Sequence, residues 1–235
     1  MRFMVTTTAV TDNSQGFAKR PHAAVFDCDG LLVDSAHCWE RAYAEVAASR
    51  GRSLDDIRLE RLLGASVVRA ASLVSQDLGD RVSTGELRAA LDEAFAADPP
   101  EALPGACELI ADLAPCMPLG VASNAPRDIV LAVLDRLGVR EAFSAIVSAE
   151  QTARDKPDPD VYLEACRQLA VAPCDAVAFE DSALGAQAAR SAGLVLVLVP
   201  SAHGPHVDAD LIVPSLSDAR LRAFLGVDAS EPAPL

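Results

Sequence analysis

Two patterns of apolar residues recur along this chain. Residues 23–26, 118–122, 145–147, 176–179, 194–199 and 211–213 are short, nearly continuous apolar runs. They are too apolar for strands with one wet face, and they read as strands covered on both sides. Helical periodicity occupies the intervals at 106–114, 127–137, 159–170 and 183–192. Gly138 and Gly193 stand at the usual helix stops, and Pro159 at a helix start. Apolar strands spaced by crossover helices predict a doubly wound parallel sheet, a Rossmann-like α/β core.

Residues 36–100 break this rhythm. They contain no convincing strand, and helical stretches are expected at 37–50, 54–63, 66–78 and 84–97. Asp98-Pro99-Pro100 and Pro104-Gly105 then mark a boundary. The expected organisation is a flexible extension over residues 1–20, an α/β core from 21–35 and 101–235, and a four-helix insertion over 36–100. Residues 231–235 are expected to fray.

Composition narrows the choice. Hydrophobic residues make up 51% of 235, which fits a globular chain with a sizeable core. No apolar run approaches the roughly 20 residues of a membrane span. The first twenty residues lack an apolar signal region, so a cytoplasmic location is expected. A net charge of −14 disfavours nucleic acid and anionic membranes as partners. No obligate protein partner is evident, and a monomer is the default expectation. The six cysteines form neither a CxxC pair nor a zinc-spaced cluster, so they read as reduced thiols. Of 20 basic residues only two are lysines, Lys19 and Lys156.

Open α/β sheets bind ligands at the carboxyl ends of their strands. The first strand runs into Asp27-Cys28-Asp29-Gly30. Alternation along an extended chain lets the two aspartates face the same side, where their repulsion favours a cation or a shared proton. Taken alone, they read more readily as solvated turn residues. The second strand ends in Ser123-Asn124 ahead of a helix, either a phosphate cradle or a simple cap. Lys156 precedes another helix, in a chain that otherwise uses arginine. Glu180-Asp181 end a further strand, either as Mg²⁺ ligands or as acids complementing a helix dipole.

In combination these segments resemble the motifs of the haloacid dehalogenase-like hydrolase superfamily. Residues 25–35 (VFDCDGLLVDS) look like its first motif, Ser123 its second, Lys156 its third and Glu180-Asp181 its fourth. The stretches KPDPDVY (156–162) and FEDSALGAQAARSAG (179–193) resemble the beta-phosphoglucomutase-like phosphatase branch, which carries a helical cap after the first motif. Leu31 stands where threonine or valine is common.

The resemblance implies an Mg²⁺-dependent phosphatase acting on a small phosphorylated metabolite, such as a sugar phosphate. Asp27 would be the nucleophile and Asp29 the acid and base. Asp29, Gly30, Ser123, Asn124 and Lys156 would hold the phosphate, with Ser123 and Lys156 also counted as catalytic. Asp27, Asp29 (through its backbone carbonyl), Glu180 and Asp181 would hold the metal. Gly64 and Arg69 lie in the segment matching the family's specificity loop. A sugar-phosphate mutase is the alternative, although residues 36–100 lack the lysine that subgroup uses. That lack also argues against a phosphonoacetaldehyde hydrolase, and Asp29 argues against a haloacid dehalogenase. A receiver-type signalling domain would be much shorter, with its acidic pair upstream of the acceptor aspartate.

Overall fold

The computed structural model describes residues 20–200 and 207–227. Most of the expected extension and the whole of the expected frayed tail lie outside the described residues. Six parallel strands form one sheet: β1 (Ala23–Phe26), β2 (Leu119–Ser123), β3 (Phe143–Ser148), β4 (Ala176–Glu180), β5 (Val195–Leu198) and β6 (Leu211–Ile212). Their order is β3-β2-β1-β4-β5-β6. The winding reverses beside β1, between β2 and β4, which is where such sheets open a ligand crevice.

Strand alternation divides the core in two. Ala24, Phe26, Val177, Phe179 and Val197 pack on one face, with α4 (Ala106–Leu113), α5 (Arg127–Arg136) and α8 (Arg220–Leu225). Phe26 and Phe179, paired across β1 and β4, stack there with centroids 4.6 Å apart. Ala23, Val25, Ala176, Ala178, Leu196 and Leu198 pack on the other face, with α6 (Asp160–Gln168) and α7 (Ala183–Ala192). This parity points Asp27 and Glu180, each one step past a paired residue, toward α6 and α7.

Between β1 and α4 the chain is helical: α1 (Ala36–Ala48), α2 (Val67–Leu78) and α3 (Thr84–Ala97). The helix expected at 54–63 does not form. Two 3₁₀ turns, Leu54–Asp56 and Leu59–Arg61, stand in its place. The carboxylate of Asp77 on α2 takes the Arg58 backbone N–H at 2.9 Å and also binds the guanidinium groups of Arg58 and Arg61. A continuous helix would need that N–H for the Leu54 carbonyl, so the tertiary contact overrides local propensity. The short helix α8 was not expected from the sequence. Among the described residues, no helix is long and apolar enough to cross a membrane.

Candidate active site

The carboxyl ends of β1 and β4 and the loop after β3 converge on a buried charged cluster. The Lys156 ammonium lies 2.7 Å from Asp27 Oδ1 and 2.6 Å from Glu180 Oε1. Asp27, Lys156 and Glu180 are 5%, 1% and 0% exposed, so these are ion pairs without a water shield. Burial alone would lower the lysine pKa, but the charges of Asp27 and Glu180 more than offset it and hold the ammonium protonated.

The acidic side carries more charge than one lysine can balance. Oxygens of Asp27, Glu180 and Asp181 lie within 4.8 Å of one another. Burial, together with Glu180 and against Lys156, pushes the Asp27 carboxyl up to about 7. Asp181 is also driven well above the carboxylate range, by burial first and then by the charges of Asp27 and Glu180. Its buried Oδ1 has no hydrogen-bond partner. Three carboxylates against one ammonium, with one oxygen orphaned, fit a divalent cation.

Glu180 is engaged differently from its neighbours. Its Oε1 accepts from Lys156 and from the Tyr162 hydroxyl at 2.6 Å. Its Oε2 accepts from the Asp181 and Ser182 N–H groups and the Ser182 hydroxyl at 3.2–3.4 Å. Five donors saturate it. Asp27 and Asp181 are therefore the members of the acidic group with capacity left for a direct bond to a cation.

Backbone shape creates the space. Gly30 turns with φ +79°, and a Cβ there would sit 2.3 Å from Asp181 Oδ2. Asp29, half-buried just before it, has its carboxyl raised by burial, against hydrogen bonds from the Ser35 and Trp39 side chains.

The side chain of Asn124 is engaged within the protein. Its Oδ1 accepts the Lys156 N–H at 2.9 Å, and its Nδ2 donates to the carbonyls of Gly64 at 2.7 Å and Lys156 at 3.3 Å. The side-chain amide is spent fixing the lysine backbone and docking the insertion. Ser123, buried at the end of β2, accepts only a local bond from the Ala125 N–H, at 3.1 Å. The start of α5 is not an open anion cradle either, because Glu150 takes the Arg127 N–H at 2.9 Å.

The insertion closes over this region. Gly64, with φ +71°, presses so near Ser182 that a Cβ would meet its hydroxyl at 2.7 Å. Ser66, which caps α2, donates its hydroxyl to Asp155. Arg69 is exposed, and its backbone N–H donates to the Ser66 hydroxyl. Gly64 thus joins the site, and Arg69 follows Ser66 in the first turn of α2. Tyr162, Ser182, Ser66 and Asp155 were missed from the sequence. KPDPDVY held the signal for Tyr162, but its hydroxyl could not be placed without the fold.

The chain is thus a doubly wound α/β fold with these charged groups at its strand ends and a helical insertion after β1. The haloacid dehalogenase-like hydrolase profile matches residues 21–193, and the chain belongs to that family. It is 35% identical over 205 residues to validoxylamine A 7'-phosphate phosphatase of Streptomyces hygroscopicus subsp. limoneus, across 84% of this chain and 95% of the relative. It is 33% identical to beta-phosphoglucomutase of Bacillus subtilis, across 85% and 92%. The crystal structure of CbbY from Rhodobacter sphaeroides in complex with phosphate superposes with a TM-score of 0.73 at 28% identity, across 84% and 96%.

Proposed function

We propose that the protein is an Mg²⁺-dependent phosphatase that hydrolyses a small phosphorylated metabolite, a sugar phosphate or similar monoester, through an aspartyl-phosphate on Asp27. The carrying observation is the placement of Asp27. Its Oδ1 lies 2.7 Å from the only lysine in the described residues, and its carboxylate neighbours Asp181, whose buried Oδ1 is unpartnered. Asp27 and Asp181 would hold the ion directly, with the Asp29 carbonyl, while Glu180 braces the lysine. A bound Mg²⁺ supplies charge neutralisation to the transferring phosphoryl group.

The chain's own residues then divide the work. Lys156 lowers the raised Asp27 carboxyl toward its ionised form and holds a phosphoryl oxygen. Ser123 offers its hydroxyl to another. Asp27 attacks phosphorus, the bond to the ester oxygen breaks, and Asp29 gives that oxygen its proton. Asp29 then takes a proton from water as the hydroxyl attacks phosphorus, releasing phosphate and restoring Asp27. Burial raises the Asp29 carboxyl, which favours its protonated form for the first step. Residues 36–100 act as a cap whose Gly64 and Ser66 contacts seal the site from bulk water.

The mutase reading predicts a different product. With Mg²⁺ and β-glucose 1-phosphate, a phosphatase releases free phosphate. A mutase yields glucose 6-phosphate and needs a bisphosphate primer. A screen of phosphorylated metabolites by phosphate release tests the assignment, and isomerisation without phosphate release would overturn it.

A further inference from the structure

Tyr162 has no role in the chemistry described above, yet it touches two charged groups of the site. It is 0% exposed on α6, and its hydroxyl donates to Glu180 Oε1 at 2.6 Å. The same oxygen accepts from Lys156 Nζ at 2.6 Å. Lys156 Nζ also stands 5.0 Å from the centroid of the Tyr162 ring, within cation–π range. Packing alone would be met by phenylalanine, so the hydroxyl adds one specific donor to one shared acceptor.

The geometry points to Tyr162 as a positioning residue that sets how Lys156 is shared between Glu180 and Asp27. This rests on reading Lys156 as a phosphoryl-holding group. An ammonium has three donors. One goes to Glu180 Oε1 and one to Asp27 Oδ1, leaving the third for a phosphoryl oxygen. The phenol hydroxyl takes up part of the charge on Glu180 Oε1 and so moderates its pull on the ammonium. Without that hydroxyl, Glu180 draws the lysine toward itself, away from Asp27 and the transferring group.

Tyr162→Phe tests this, because it removes only the hydroxyl. The expected result is a fall of about tenfold in kcat/KM for p-nitrophenyl phosphate, the scale of one hydrogen bond to a charged group. The inhibition constant for inorganic phosphate should rise by a similar factor. Mg²⁺ affinity, measured calorimetrically without substrate, should not fall, since a lysine drawn away from Asp27 removes a competing cation from that carboxylate. Unchanged kcat/KM and phosphate inhibition would overturn the proposal, and so would a parallel loss of Mg²⁺ binding, which marks general collapse. Should Tyr162→Phe fail to fold, fluorine NMR decides. The chain has two tyrosines, so a Tyr43→Phe protein grown with 3-fluorotyrosine carries its label at Tyr162 alone. Its resonance should shift when inorganic phosphate and Mg²⁺ are added, and a static resonance refutes the role. Wild-type protein that neither hydrolyses p-nitrophenyl phosphate nor responds to phosphate would instead refute the phosphatase reading itself.

Discussion

A Cβ on Gly185 would lie 1.8 Å from Glu180 Oε1 and 2.1 Å from Oε2. The carboxylate occupies the space beside the first turn of α7, and its five donors leave it no free direction in which to retreat. Gly185→Ala should therefore cost about 1–3 kcal/mol by overpacking and displace Lys156, lowering kcat by more than about tenfold. Denaturant unfolding and p-nitrophenyl phosphate turnover measure the two effects. Gly85, in the first turn of α3, meets nothing within 4 Å. Gly85→Ala should instead stabilise by about 0.4–1 kcal/mol and leave turnover unchanged. Equal effects at the two positions would refute the steric account.

The buried acids make stability depend on pH and on cations. Asp27 is raised from 3.8 to about 7, so the folded state binds more protons than the unfolded chain between those values. Where the native state binds more protons, stability falls as pH rises. Acids held low at the surface, Glu86 and Glu164 at about 2, lose their stabilisation only below about pH 4.5 and so leave the pH 5 to 8 range unaffected. Metal-free protein should thus melt lower at pH 8 than at pH 5, and Mg²⁺ should raise the melting temperature more at pH 8. Asp27→Asn should abolish turnover, raise the metal-free melting temperature at pH 8 and weaken the Mg²⁺ response. An Asp27→Asn protein that still turned over substrate would remove Asp27 as the nucleophile.

The sheet and the order of its chemical groups were legible in the sequence because apolar strand runs and strand-end motifs are local signals. The failure at 54–63 has a different origin. Nothing within that segment opposes a helix; the break comes from Asp77 on α2, about twenty positions away in sequence. Asn124 shows the same limit at the site. Its partners, Gly64 and Lys156, lie 60 and 32 positions away. Glu180 and Asp181 look equivalent as neighbours in sequence, whereas one is saturated with donors and the other has an orphaned oxygen.

Asp29 makes a prediction about leaving groups. Its raised carboxyl suits it to protonate a departing alkoxide, and p-nitrophenolate departs without that help. Asp29→Asn should lower kcat/KM for an alkyl phosphate by at least about a hundredfold, the scale of general acid catalysis. The loss for p-nitrophenyl phosphate should be much smaller. Because kcat/KM reports the steps through phosphoenzyme formation, the later need for Asp29 as a base does not blur the comparison. Equal losses for both substrates would mean that Asp29 does not act as the acid.

Arg88 joins the insertion to the core. From α3 its guanidinium reaches Asp128 in the first turn of α5 at 2.5 Å and Glu150 after β3 at 3.7 Å, while Asp92 on its own helix holds it at 2.8 Å. Asp128 and Glu150 are 70% and 55% exposed, which places each pair in the range of about 0–1 kcal/mol. A latch of that strength shifts a closing equilibrium by no more than about fivefold per pair, enough to bias the cap without locking it. Arg88→Gln should raise KM by about two- to fivefold with little change in kcat, because none of these atoms reaches the reacting groups. The wild type should lose the same factor as ionic strength rises, since exposed pairs are screened within a Debye length of about 10 Å at 0.1 M salt. The variant should show a flatter salt response. If wild type and Arg88→Gln respond to salt identically, these ion pairs do not govern closure, and the contacts of Gly64 with Asn124 and of Ser66 with Asp155 carry it alone.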